Sequence, residues 1–528
     1  MKRRDFLKAT AVGGAAAATI GTKVRRASAV PAFGDVPADH ASVMLPKANQ
    51  ATNILECFMY GGVTPWEGFY CVPEYGSTSA RTWHKAYPTD FLNASLACGY
   101  DPSNPFTPFA NDSSGRQIYL SPFLAPLIAR KDVTDRMRIV VNRHTLEPHE
   151  AAIPLAMSGK TLGSPSLASL GSHVARYFVD HDVDNLHPSP FSYGFSIASS
   201  FVPTDNILTM LATGLHPGAA RPLHIKTDGA ARLNLLLART NIGSLDDRSR
   251  YDALLQIYDA QYQKRLNFGK SDRLLRAPRF GELTSAVSSL AHASDIQSMI
   301  TPAYLTPVAG TSCFARSKSL SGSKPDTSVI DTVKVSNTIN NPLMALTLAT
   351  HLLTHEQFPA KHCMVVDTGL TEADGGGGYD THSETPFTQA RNLYNFFNSL
   401  MPLINGPGES DPAKIDLNKT MIVLNMEFGR TPGLQGSATG RNHWPYGYAQ
   451  VYIGGPITNA QKGVYGVINE GGQATTYTTP TENRIAALLA MGIWPFDSAS
   501  YSGSNVQNQT LEGPAVQDVL KRVLGYTV

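Results

Sequence analysis

Apolar residues fall in short, unbroken blocks at intervals along the chain, and most of these blocks predict buried strands. Ile54-Leu55-Glu56-Cys57-Phe58-Met59-Tyr60 is the first, ending on Gly61-Gly62. Arg138-Ile139-Val140-Val141, Cys363-Met364-Val365-Val366, Met421-Ile422-Val423-Leu424 and the run from Ala449 to Ile453 follow. Runs of this length without polar alternation suit strands covered on both faces. Between them the spacing changes to that of helices. His149 to Ser158 is a small-residue helix, and Ser166 to Phe178 brings Leu167, Leu170, Val174 and Phe178 to one side. Pro342 to His355 does the same with Leu343, Leu346, Ala349 and Leu353, and Thr388 to Ile404 and Thr481 to Met491 are further helices. Strands alternating with helices predict an α/β fold: a three-layer α/β/α sandwich around a mostly parallel sheet.

The pattern is weaker elsewhere. Residues 30–50 are a polar leader, and 71–120, rich in Pro, Ser, Asn and aromatics, read as a long surface excursion. The stretch 185–345 is an elaborated middle region. It holds short apolar patches such as Ile207-Leu208, a helical pattern through Tyr251, Leu254, Leu255, Ile257 and Tyr258, and a Ser/Lys-rich loop at 316–328. With no internal repeats, residues 30–528 read as one large domain.

The first residues change the picture of where this domain works. Lys2-Arg3-Arg4-Asp5-Phe6-Leu7-Lys8 precedes a weakly apolar run from Ala9 to Ile20, then Lys23, Arg25 and Arg26, then Ala27-Ser28-Ala29. Paired arginines, a short apolar core and an A-x-A site read as a twin-arginine signal peptide spanning residues 1–29, handed to the twin-arginine export machinery. The apolar run is shorter than the ~20 residues a membrane span needs, and no later run is long enough, so no stable span is expected after cleavage. The segment carries seven of the 44 Lys and Arg and one of the 42 Asp and Glu, leaving the remainder at about −4. A basic face for nucleic acid is therefore not expected. The five cysteines lack CxxC spacing, which excludes a zinc knuckle. Cys57 and Cys363 sit in apolar strands as buried thiols, whereas Cys71 and Cys98 are a candidate disulfide in an oxidising compartment.

Ligand sites in open α/β sheets gather beyond the carboxyl ends of the strands. Polar clusters fall there: Thr64/Glu67, His144 to His149, Asp380/His382 and Glu427/Arg430, with Arg441-Asn442-His443 in a loop before a strand. Singly, each has an ordinary explanation as a capped turn, an aromatic corner or an ion pair. Together they supply the carboxylates and imidazoles that a zinc or related divalent ion requires.

Gly-Tyr-Asp-Thr-His-Ser at 378–383, Glu-Phe-Gly-Arg-Thr-Pro at 427–432 and Gly-Arg-Asn-His-Trp-Pro at 440–445 carry a resemblance. Their order resembles that of a bacterial family, usually exported by the twin-arginine route, of sulfatase-like relatives within the alkaline phosphatase superfamily. The resemblance is specific across 360–470, fair across 51–70 and 138–178, and thin through 185–345. It implies an alkaline phosphatase-like fold and a metal-dependent hydrolase of phosphate or sulfate esters. The substrate would be a small anionic ester or a sulfated or phosphorylated glycan. Asp380, His382 and His443 match the ligands of one divalent metal (zinc, calcium, magnesium or manganese). Glu67 and Glu427 match carboxylates of a second, but Phe428 stands where that site's histidine would be. Tyr379 and Asn442 also depart from the family's Trp and Asp. His149 falls at the nucleophile position, where neither Cys nor Ser is found, so formylglycine chemistry is not expected. His149 is open to roles as nucleophile, metal ligand or general acid, with Thr64 and Thr145 as alternative hydroxyls. Arg430 would bind the anionic group. The alternative function is an inactive exported binding or surface-assembly protein that retains the fold and a structural metal.

Overall fold

The computed structural model describes residues 33–76, 105–164, 167–181, 191–196, 222–226, 253, 341–356, 358–369, 378–382, 385–433, 440–498 and 500–527. The signal segment at 1–29, Cys98 (and with it the Cys71–Cys98 pairing), the 316–328 loop and most of the middle region lie outside these residues. Within them, every apolar block becomes a strand. The strands are β1 (Asn53–Met59), β2 (Thr107–Asn111), β3 (Gln117–Leu120), β4 (Met137–Asn142), β5 (Ser192–Ser196) and β6 (Leu223–Lys226). After these come β7 (His362–Asp367), β8 (Thr420–Asn425), β9 (Gly429–Arg430), β10 (His443–Trp444), β11 (Tyr448–Gly454) and β12 (Gly463–Tyr465).

Eight strands form one sheet in the order β12-β4-β11-β8-β1-β7-β5-β6. β1 lies at its centre, parallel to both neighbours, with Ile54 opposite His362 of β7 and Met421 of β8. β11 runs antiparallel to β4 and β8, and the other neighbours pair in parallel. β5 and β6 extend the sheet from the region that lacked a sequence pattern. β2 and β3 make a separate hairpin within the stretch read as a surface excursion.

The helices are α1 (His149–Ser158), α2 (Leu170–His181), α3 (Asn341–Leu353), α4 (Thr385–Leu400), α5 (Pro480–Ala490) and α6 (Glu512–Val519). α2 starts four residues later than its apolar pattern, at the point where Ser169 Oγ accepts the Ser172 N–H. α5 starts at a capping box between Thr479 and Glu482, with Pro480 at its first position. Alternate residues of β1 enter different apolar clusters. Leu55, Cys57 and Met59 pack with Met344 and Leu346 of α3 and Leu393 and Phe396 of α4. Ile54 packs with Leu170 and Val174 of α2, Ile485 of α5 and Val516 of α6. Phe58 meets Ile153 and Met157 of α1. Each such buried side chain contributes about 1.5–3 kcal/mol, so the continuous apolar blocks are what commit β1 to the sheet centre.

One charged residue is buried in that centre. Glu56, fully buried, is bonded to the Arg484 guanidinium, to His362 Nε2 at 3.2 Å and to Asn425 Nδ2 at 3.0 Å. Burial pushes its carboxyl up, but Arg484 and His362 outweigh this and hold its pKa at about 2. Cys57 and Cys363 are buried thiols, as their apolar settings predict. Cys71 is buried too, its thiol directed at the Trp66 carbonyl at 3.0 Å. Among the described residues no helix is long and apolar enough to cross a membrane.

Candidate functional site

The turn leaving β1 sets the floor of the site. Gly61 and Gly62 take positive φ of 98° and 83°, and a Cβ on Gly61 would lie 2.0 Å from the backbone N of Asp380. Only glycine permits the β1 turn and the 378–382 loop to meet this closely. That loop is anchored from three other sides. Tyr379 N donates to Tyr60 O at 2.7 Å, Asn392 Nδ2 of α4 donates to Gly378 O at 2.7 Å, and Gln389 Nε2 of α4 donates to Tyr379 O at 2.9 Å. The Tyr379 hydroxyl donates to Asp367 Oδ2, at the end of β7, at 2.7 Å.

Burial raises the Asp367 pKa to about 6, against the pull of Tyr379 and of the Gly369 N–H. Tyr379→Phe removes one of these donors from a buried carboxylate. The expected loss is about 1–3 kcal/mol in urea unfolding at pH 8. It should shrink at pH 5, below the Asp367 pKa, where the carboxyl is protonated and needs the donor less. An equal loss at both pH values would contradict the assignment.

Asp380 is the centre of the cluster. His382 Nε2 lies 3.1 Å and His443 Nε2 3.3 Å from its Oδ1, and these two nitrogens are 3.1 Å from each other. His149 Nε2, at the start of α1, lies 3.4 Å from its Oδ2. Arg430, fully buried, donates to Asp380 Oδ1, to Gly61 O and, at 3.2 Å, to Arg441 O. The three histidines and Arg430 overcome the effect of burial and hold the Asp380 carboxyl well below the usual range. Burial pulls the His149 imidazole down, yet Asp380 and Glu427 reverse this and raise it to about 9. For His443 burial prevails and the pKa is lowered.

His149 is fixed as closely as Asp380. Its ring stacks on Tyr60 at 5.1 Å and meets His443 edge-on at 4.5 Å. Its Nδ1 lies 2.9 Å from Glu427 Oε1, which also accepts the Gly61 N–H at 2.7 Å. Phe428 stacks on His443 at 4.5 Å. His144, buried enough to lower its pKa to about 4, bonds through Nε2 to the Glu427 carbonyl at 2.6 Å.

The sequence-predicted residues therefore divide. Asp380, His382, His443 and His149 come together, with Glu427 behind His149. Glu67 is engaged elsewhere, in a fully buried ion pair with Arg441 at 3.0 Å. Arg430 points inward and secures Asp380 instead of lining an open surface. Thr64 is fully buried, its N–H donating to Gln389 Oε1 at 3.3 Å, whereas Thr145 is exposed. Sequence reasoning gave no role to Arg441, Tyr379, Asp367 or His144, which bear on the site through hydrogen bonds. The signal for Arg441 was its place in Gly-Arg-Asn-His-Trp-Pro, directly before the Asn-His pair.

The donor set fits a divalent cation. One ligand atom each from His149, Asp380 and His443 lie within 4.8 Å of one another. His149 Nε2 and Glu427 Oε2 are buried without a hydrogen-bond partner. Imidazole nitrogens with a carboxylate suit zinc and its neighbours better than calcium, which prefers an all-oxygen shell.

Comparison with known families finds two matches. Residues 1–19 match the TAT (twin-arginine translocation) pathway signal sequence, and the chain is exported by that route to the periplasm or beyond. Residues 362–510 match the family described as "Protein of unknown function (DUF1501)", a span that holds Asp380, His382, Glu427, Arg430 and His443. No curated protein and no solved structure matches the chain.

Proposed function

We propose that this protein is an exported, metal-dependent hydrolase of phosphate or sulfate esters. We read its fold as a three-layer α/β/α sandwich of the alkaline phosphatase type. The observation that carries the proposal is the meeting of Asp380, His382, His443 and His149, brought from three separate stretches of chain. The alternation of the β1 side chains between the α3–α4 cluster and the clusters that bear α1, α2, α5 and α6 supports the layered fold. Asp380, His382, His443 and His149 would hold the ion, and zinc suits the donors best. A bound divalent ion would supply Lewis acidity toward an ester oxygen and lower the pKa of water.

The chain's own residues do the rest. Arg430 keeps Asp380 ionised and correctly placed through its bonds to Asp380, Gly61 and Arg441. Phe428 covers one face of His443 and keeps water from it. His149 stands at the amino end of α1, where the partial positive charge of the helix favours an anionic ester group.

A second reading has one observation in its favour: Arg430, the candidate anion binder, is wholly buried against Asp380. On that reading the protein is an inactive binding or surface-assembly component that keeps the fold, with or without a structural metal. Metal analysis of protein exported by its native route, with a panel of phosphate and sulfate esters, decides between them. The hydrolase reading expects about one ion per chain, turnover of at least one ester, and loss of both in His443→Ala. Absence of metal, or bound metal without turnover, would reject the hydrolase reading and favour the second.

A further inference from the structure

Beside Asp380, the site has a second carboxylate, Glu427, whose side chain meets one histidine, His149. Its Oε1 accepts the Gly61 N–H at 2.7 Å, which ties the carboxylate to the β1 turn. Its backbone is tied from the other side. His144 Nδ1 accepts the Leu146 N–H at 3.0 Å, so the His144 proton resides on Nε2 and is donated to the Glu427 carbonyl at 2.6 Å. The carboxylate thus held lies 2.9 Å from His149 Nδ1.

Glu427 Oε1, already an acceptor for the Gly61 N–H, faces His149 as an acceptor too, so Nδ1 is the nitrogen that donates to it. The nitrogen left to face an ion is Nε2, whose own proton a bound ion would displace. That atom is buried, lacks a hydrogen-bond partner and lies 3.4 Å from Asp380 Oδ2. Stacking on Tyr60 and tilted contact with Phe428 at 4.9 Å hold the ring in this orientation. A carboxylate on one imidazole nitrogen, with the other turned toward further donors, is the arrangement that orients metal-ligating histidines.

We infer that Glu427 is a positioning residue, and that His149, not Glu427, joins Asp380, His382 and His443 in holding the divalent ion. The inference rests on the metal-binding reading above. It also selects among the roles open to His149, assigning it as a ligand. The second Glu427 oxygen, Oε2, is buried without a protein partner. It is free for water if Glu427 positions His149, and would meet the ion if Glu427 were itself a ligand.

Cobalt(II) titration of the purified full chain separates these arrangements, because its visible bands report the ligand set. Wild type and Glu427→Gln should each bind one Co²⁺ per chain, the variant about 10–100-fold more weakly. His149→Ala should bind weakly with a changed spectrum. Adding Glu427→Gln to His149→Ala should bring no further loss, because Glu427 acts through a ring that is gone. Should Glu427→Gln fail to fold by circular dichroism, Glu427→Asp keeps the charge but draws Oε1 back, and should weaken binding with the same dependence on His149. The inference is overturned if the two single effects multiply in the double variant, or if Glu427→Gln binds as tightly as wild type. It is equally overturned if Glu427→Gln loses the ion as completely as His443→Ala. A wild-type chain that takes up neither Co²⁺ nor Zn²⁺ would instead overturn the metal reading, and the inference with it.

Discussion

Arg484→Met should destabilise the folded protein by about 3–5 kcal/mol, read as a lower urea midpoint at pH 7. The substitution leaves Glu56 fully buried at the sheet centre, bonded only to the neutral amide of Asn425 and to His362. Coulomb attraction to the guanidinium is the chief influence that keeps the Glu56 pKa at about 2 against burial. The effect has a defined pH window. Glu56 titrates lower in the folded chain than in the unfolded one, where a glutamate pKa is about 4.3. Its contribution is therefore complete above that value and is lost as pH falls toward 2. Arg484→Met should accordingly flatten the acid limb of the stability curve between about pH 4.5 and 2. The double variant Glu56→Gln/Arg484→Met should recover most of the loss, because the cost arises from a stranded charge. Nε and one terminal nitrogen of Arg484 already lack partners, so the pair is incompletely satisfied even in the native protein. A single variant as stable as wild type would show that the ion pair contributes nothing net.

Gly61→Ala should cost about 3 kcal/mol and disable the site at the same time. The added methyl would lie 2.0 Å from Asp380 N and 2.5 Å from the Tyr379 carbonyl carbon, at a φ of 98° that disfavours any side chain. Backbone atoms cannot step aside as a flexible side chain can, so the 378–382 loop must move away from the β1 turn. The Gly61 N–H to Glu427 and the Arg430 bond to Gly61 O go with it. Co²⁺ affinity should fall at least tenfold, since Asp380 and His382 ride on the displaced loop. Gly115→Ala is the control: it shares a positive φ of 86° but has open space around it, so it should lose stability and leave affinity unchanged. Equal affinities for Gly61→Ala and Gly115→Ala would separate the turn from the site.

The central strands were legible because β1, β4, β7 and β8 are covered on both faces and so need unbroken apolar sequence. The same property hid the direction of β11: Ala449 to Ile453 reads alike in either orientation, and its antiparallel placement follows from long-range pairing with β4 and β8. β5 and β6 were missed for a different reason. Ser192-Tyr-Gly-Phe-Ser and Leu223-His-Ile-Lys are short and half polar, as suits strands at or near a sheet edge. In the β2–β3 hairpin, Pro108 and a register shift between Pro108 and Ala110 obscure the alternation that would have marked it.

The site divides along similar lines. Asp380, His382 and His443 were found because side-chain types that bind metals recur beyond strand ends. The partner choices of the charged residues were not, because they depend on which loops meet. Glu67 and Glu427 are equivalent in sequence as carboxylates near strand ends, yet one meets Arg441 and the other His149. Arg430 looked like an anion receptor and faces inward because Gly61 O and Asp380 supply acceptors there.

The central place of β1 also sets the order in which the chain can mature. Its pairing partners lie about 300 (β7) and about 365 (β8) residues further on, so at ribosomal rates of about 5–20 residues per second the two edges of β1 wait roughly 15–75 s for them to be made. Until then this buried strand has neither of its neighbours, and two unpaired edges invite association with other chains. The sheet centre closes only when synthesis has passed β8, well into the carboxyl-terminal third of the chain. A protein built this way completes its fold before departure, and the twin-arginine route, which carries folded cargo, matches that timetable.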